Sequence, residues 1–367
     1  MFIFKKSTAM LVLLGLSAST SVAQTYHSYN VTENLEERPV RIIQTNSAGT
    51  NVQVFDPRSM QQVGEIDYLP SPHGATVHPD GTYYYITNEH DHSVDVVDTR
   101  TLEVVEQIQL ANRPHNISAS HSARKVYVAI IAEPKVQIID MDSNSIIKTI
   151  ETAGGVHNTF VTPDGRYAMG GMIGASSIVA INTDTDEVEW TFEIDYQQSP
   201  LIGGIRPFAF TTNDDGSTRS ILINVGGWHG FWEVDWDTRE VLRKVSPPED
   251  AWLPTDKSAD GIQSAPSHGI VVLPDESQVW VSSRATSHVY AWSLPDYEYI
   301  GRVYIGNPAW LTATPDSKQV WIGVASHNET AVVDVSRMEV VHRFPVGQSP
   351  KRIFTAVFPE NWPGEAL

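Results

Sequence analysis

Four short β-rich runs separated by turn residues recur about every 42 residues, and this period constrains the fold more than any other feature. One unit reads Ala75-Thr-Val-His-Pro-Asp-Gly-Thr-Tyr-Tyr-Tyr-Ile-Thr-Asn88, then Val94-Asp-Val-Val-Asp98, then Leu102-Glu-Val-Val-Glu-Gln-Ile-Gln-Leu110. The first turn returns as Thr162-Pro-Asp-Gly165, Leu273-Pro-Asp275 and Thr314-Pro-Asp316. The second run returns as Val126-Tyr-Val-Ala129, Val279-Trp-Val-Ser282 and Val320-Trp-Ile-Gly323. Alternation of this kind, bounded by Pro, Asp and Gly, reads as strands. No helical period appears, which excludes an α-solenoid. The junction before each first strand falls at His73, His115, His157, Pro207, His268, Ala309 and Lys351. Steps are about 42 residues, except for two of about 50 and 61. Seven junctions predict an all-β, seven-bladed β-propeller. The first copy, Val40 to Tyr68, lacks its innermost strand, and the last copy is only that strand, Ile353 to Phe358. The C-terminal strand is therefore expected to pair with the N-terminal blade and close the ring, leaving only short, protected edges.

Tyr85-Ile-Thr-Asn88 followed by Val94-Asp-Val-Val-Asp98 resembles the YVTN-type β-propeller repeat, and the resemblance covers residues 38–360. It implies the fold. Relatives of that architecture include cytochrome d1-type haem domains, nitrous oxide reductase propellers and surface-layer repeats, so it leaves the function open.

Composition narrows the chemistry. The chain has 25 basic and 44 acidic residues, a formal charge of −19, and no cysteine. An acidic surface argues against nucleic acid and anionic membrane as partners. Lack of cysteine excludes disulfides, thiolate zinc sites, iron–sulfur clusters and covalent c-type haem. Lys5 and Lys6, the apolar run Ala9 to Leu16 and the small residues Ser21-Val22-Ala23 read as a secretory signal over residues 1–23. Residues 24–37 and 361–367 are then tails, and the expected compartment is the periplasm. No second apolar segment of spanning length occurs, so no membrane insertion is expected.

Topology sorts the loops. If each first strand runs away from the top face, the Pro-Asp-Gly turns lie at the bottom and the blade junctions at the top. Both long insertions, Asp195 to Pro207 and Ser246 to Ser267, are top loops and are expected to wall a pocket. Nine of the thirteen histidines fall on the same face: His73, His90, His92, His115, His157, His229, His268, His288 and His327. His73, His115, His157 and His268 share one repeat position beside the central channel, so symmetry should aim all four at one axis. Converging neutral imidazoles suit a transition metal. Copper is favoured, with iron, zinc or a non-covalent haem as alternatives.

Arg206 and Arg352, at or beside two other junctions, are the candidate catalytic residues. They would orient a small, possibly anionic substrate. Trp228 and Trp252 are candidates for an apolar wall. Glu89, Asp91 and Asp260 are possible acid–base partners, though each reads more simply as a loop carboxylate. Asn182-Thr-Asp-Thr-Asp-Glu187 lacks the glycine and distal glutamate of a calcium loop and reads as a solvated turn. The leading expectation is a metal-dependent oxidoreductase. Two alternatives stand beside it: a non-enzymatic propeller binding a protein, peptide or glycan, and a lyase or lactonase with a top-face histidine as base.

Overall fold

The computed structural model describes residues 24–26, 29–31, 37–195, 204–248 and 265–366. The signal segment, His27, Trp252, Asp260 and most of both long top loops lie outside them. Strands Gln24–Tyr26 and Tyr29–Val31 pair as a short hairpin. The remaining strands form seven antiparallel four-stranded sheets, the blades.

Blade 1 is completed by the C terminus. Pro350–Val357 pairs along the whole of Val40–Asn46, inside Asn51–Asp56 and Gln61–Asp67. Blades 2 to 7 begin at strands Pro72–Val77, Pro114–Ser120, Val156–Val161, Ile205–Thr212, Ser267–Val272 and Pro308–Ala313. Each of these blades is contiguous in sequence, as the repeat requires. Beyond the last strand the chain stays anchored. Trp362 stacks on Phe358 at 3.8 Å, and the Glu365 carboxylate accepts two hydrogen bonds from Arg41, at 2.6 and 2.8 Å.

Inner strands are buried along their length and outer strands are largely exposed, because each inner strand packs against two neighbouring blades. The apolar clusters are accordingly shared between blades. Val77 and Tyr84 of blade 2 pack with Val52, Val54 and Phe354 of blade 1. Trp280 and Val289 of blade 6 pack with Leu311 and Val320 of blade 7. The fully buried Trp232, Trp280, Trp292 and Trp321 serve this packing. Trp228 belongs to it too: its indole lies 5.9 Å from Trp232 and donates to the Val245 carbonyl.

Turn chemistry explains the recurrent aspartates. In the bottom turns the Asp80, Asp164, Asp275 and Asp316 carboxylates each accept from the backbone N–H two residues on. The next residue is left-handed: Gly81, Gly165, Glu276 and Ser317. Asn182 works likewise in its turn, accepting from the N–H groups of Asp184 and Thr185. That stretch is a capped turn, as its sequence suggests.

Candidate functional site

Every innermost strand carries a β-bulge at its top end. The register slips between Pro72 and Ala75, Pro114 and Ile117, Val156 and Asn158, Ile205 and Phe208, Ser267 and Gly269, Pro308 and Leu311, and opposite Thr45–Asn46 at Pro350–Arg352. A bulge leaves its extra residue outside the ladder and re-aims the side chain. The residues so freed are His73, His115, His157, Arg206, His268, Ala309 and Lys351. One expectation needs correcting. The junction of blade 5 is Arg206, not Pro207, because the slip begins directly after Ile205.

The bulge brings the four histidines together. Ring centroids are 4.0 Å apart for His73 and His115, 4.3 Å for His115 and His157, and 5.9 Å for His157 and His268. This packing leaves no slot for a haem plane between His73, His115 and His157. Junction carbonyls are pinned from the preceding blade: Thr45 donates to the His73 carbonyl, Thr87 to that of His115 and Ser282 to that of Ala309. Below the rings, Trp310 and Phe160 stack at 6.1 Å and Phe208 packs on Phe160, so aromatic side chains floor the channel.

Arg352 lies over the Trp310 ring at 3.6 Å and is 3% exposed. Its Nε donates to His73 Nε2 at 3.1 Å, and its Nη2 lies 2.9 Å from His115 Nδ1. A guanidinium only donates, so both ring nitrogens are acceptors. Nη1 of Arg352, Nε of Arg206 and Nδ1 of His268 are buried with no hydrogen-bond partner among the described residues. His157 Nδ1 lies 2.5 Å from the Asn158 amide nitrogen.

The electrostatics are lopsided. Arg206, Arg284, Lys351 and Arg352 act on one another or on the histidines, and Arg113 acts on Lys351 and Glu89. Among the described residues, Glu89 is the one carboxylate that acts on Arg352 or Lys351. No carboxylate lies within ion-pair distance of Arg206, Arg284 or Arg352 among them. Burial lowers Arg206 and Arg284 to about 10 and pushes Arg352 well below its usual value. Burial also drives all four histidines well below the ordinary imidazole range, and neighbouring cations add to it. They are neutral at pH 7. Burial raises Glu89.

Of the other top-face histidines, His229 is buried, lowered to about 4 by desolvation, and bonds Ser283 Oγ at 2.8 Å. His90 and His327 are exposed. As for metal donors, one set has its atoms all within 4.8 Å of one another among the described residues: His73, Glu89 and His115. His157 and His268 are not part of it. Glu89 is the donor that sequence reading passed over. A repeat signal marks it nonetheless. The residue after each second strand donates its N–H across the blade mouth: Ser47 to Ser349, Glu89 to Ser71, Arg284 to Pro266, and Ile131, Ile173, Gly226 and Ala325 likewise. Ser47, Glu89 and Arg284 thus share one position facing the junction ring.

Comparison with known proteins supports the fold and assigns no activity. A family model described as a domain of unknown function, DUF5074, matches residues 41–218, just under half of the chain. No curated protein matches the sequence. Three solved structures superpose at low identity. Hydrazine synthase of Kuenenia stuttgartiensis has a TM-score of 0.65 and 18% identity, over 80% of this chain and 92% of that one. Dihydro-heme d1 dehydrogenase NirN in complex with DHE has a TM-score of 0.60 and 14% identity, over 83% of this chain and 63% of that one. A functionally unknown protein from Desulfotomaculum acetoxidans has a TM-score of 0.66 and 13% identity, over 87% and 98%. The chain is similar to each of them as a β-propeller fold.

Proposed function

We propose that the top mouth of the channel binds a small anionic molecule, with Arg352, Arg206 and Arg284 as its counter-ions and the four neutral histidines as its walls. One observation carries this reading: three deeply placed guanidiniums converge with no carboxylate in ion-pair contact among the described residues. An uncompensated buried ion costs several kcal/mol. A bound oxyanion or carboxylate offsets that, and guanidinium forks match it in geometry. The whole chain carries a formal charge of −19, so a local cationic bowl focuses anions that the remaining surface repels. Solved neighbours of this fold carry unlike names, so the reading rests on the site rather than the fold. The reading of residues 1–23 as a secretory signal supports a periplasmic location for such a binder.

A second reading has its own support. His73, Glu89 and His115 offer a mixed nitrogen/carboxylate donor set. A transition metal there, copper or iron, would supply redox or Lewis-acid chemistry beside the anion and make the protein an oxidoreductase.

The test is thermal unfolding of the mature protein with sulfate, phosphate and small dicarboxylates at constant ionic strength. Ligand at 100 times its Kd should stabilise the fold by about 2.7 kcal/mol. A panel in which no anion raises Tm beyond the ionic-strength control contradicts the proposal.

A further inference from the structure

The metal-donor set and Arg352 stand in an opposition that the anion reading alone does not use. Arg352 Nε donates to His73 Nε2, so the His73 proton must sit on Nδ1, which lies 3.0 Å from Ser47 Oγ and 3.4 Å from Glu89 Oε1. Arg352 Nη2 reaches His115 Nδ1, so the His115 proton must sit on Nε2, which lies 3.9 Å from the same carboxylate oxygen. Both imidazoles therefore turn N–H groups, not lone pairs, toward Glu89. A metal needs the reverse. Imidazole bound to a metal carries its proton on the outer nitrogen and donates it to an acceptor. Here the outer nitrogens meet a donor.

We infer that His73, Glu89 and His115 form a divalent transition-metal site that Arg352 holds closed, and that an anion drawing the guanidinium off the two imidazoles opens it. The inference rests on the anion reading for its gating half. Arg352 has the means to respond: its Nη1 has no partner among the described residues, and its stacking on Trp310 tolerates a rotation in the plane of the ring. Once the guanidinium turns away, Nδ1 of His73 and Nε2 of His115 become free to exchange proton for lone pair. Two imidazoles and one carboxylate with open positions suit iron(II), cobalt(II) or zinc. Metal binding would then follow anion binding, so that metal and anionic ligand meet only as a pair.

The experiment is a Co(II) titration of the full mature chain, read by visible absorption, for wild type and Arg352→Met, with and without sulfate. Arg352→Met should bind Co(II) at least about tenfold tighter than wild type without sulfate, and sulfate should not change its affinity. Sulfate at a concentration that raises wild-type Tm should tighten wild-type Co(II) binding by a similar factor. Arg352→Met no tighter than wild type overturns the metal site. Wild-type affinity indifferent to sulfate that demonstrably binds overturns the gating. If sulfate does not bind, the anion of the panel that raises Tm most takes its place; if none binds, the anion reading falls and the gating with it, while the Arg352→Met result still decides the metal site. Nitrogen-15 NMR of unmutated protein gives a readout independent of the variant's folding. His73 should appear as the Nδ1–H tautomer and His115 as Nε2–H; the opposite tautomers contradict the inference.

Discussion

The two ends of the propeller use the same local arrangement with different charge balance. At the bottom, Arg124 Nη2 lies 3.3 Å from His78 Nε2, and His78 Nδ1 lies 2.5 Å from Asp80. At the top, Arg352 faces His73 in the same way, with Glu89 beyond the far ring nitrogen. Yet Arg124 is half-exposed and paired with Asp142, and Asp80 also caps its own turn. The bottom group closes on itself and holds a bend. Its neighbour His121, lowered to about 3 by burial, lies 3.0 Å from a backbone carbonyl. Arg352 is buried and, among the described residues, has no carboxylate in contact and leaves a donor unused. A histidine beside an arginine is thus no mark of function by itself; the unanswered charge is.

The largest expected difference is in ligand affinity. Arg352→Met should weaken anion binding about 100-fold, since truncating a buried charged partner commonly costs 2–5 kcal/mol. Arg124→Met should leave it within about twofold. Calorimetric titration of both variants checks this, and equal losses would erase the distinction between the two ends.

Stability should move the other way. Arg206→Met removes a buried cation with no acidic partner among the described residues. The ligand-free protein should gain about 1–2 kcal/mol, a rise of roughly 2–4 °C in Tm per kcal/mol. Saturating anion should shrink or reverse that gain. A ligand-free variant less stable than wild type would mean that Arg206 is structural.

The pH dependence is next in size. His73, His115, His157 and His268 have folded values below 6.5. The unfolded chain therefore binds more protons below that pH, so their contribution is fully present above 6.5 and is lost as pH falls. Glu89, raised by burial, works weakly against this trend near its own titration. Anion affinity should stay level over the same range, because the folded imidazoles remain neutral while the unfolded ones titrate. Thermal scans and titrations between pH 7.5 and 5.5 test both expectations. Replacing His73 by Ala should flatten the stability profile, and His90→Ala should not.

The smallest effect belongs to the bottom turn. Asp80→Asn should cost no more than about 1 kcal/mol, the scale of one turn hydrogen bond, with unchanged anion affinity.

Much of this was legible in the residues. The Pro-Asp-Gly turns and the lone strand after Lys351 define seven blades and their closure. Register of His73, His115, His157 and His268 announces their convergence, because a closed ring of equal repeats has one axis. Three things were not legible. The blade 5 junction at Arg206 depends on where a bulge begins, and an insertion hides the spacing there. Arg352 belongs to the position after the junction, where the other blades carry Gly74, Asn116, Asn158, Pro207, Gly269 and Trp310, so no repeat signal selects it as the residue that reaches two histidines. Glu89 enters through the end of the second strand, a position that carries chemistry in only some blades.

The most direct test of the central claim is calorimetric titration of wild type against Arg352→Met, using the anion that raises Tm most. The account predicts one site per chain in wild type and about 100-fold weaker binding in the variant. Equal affinity in both proteins would show that the buried guanidinium at the channel mouth is not there to meet an anion.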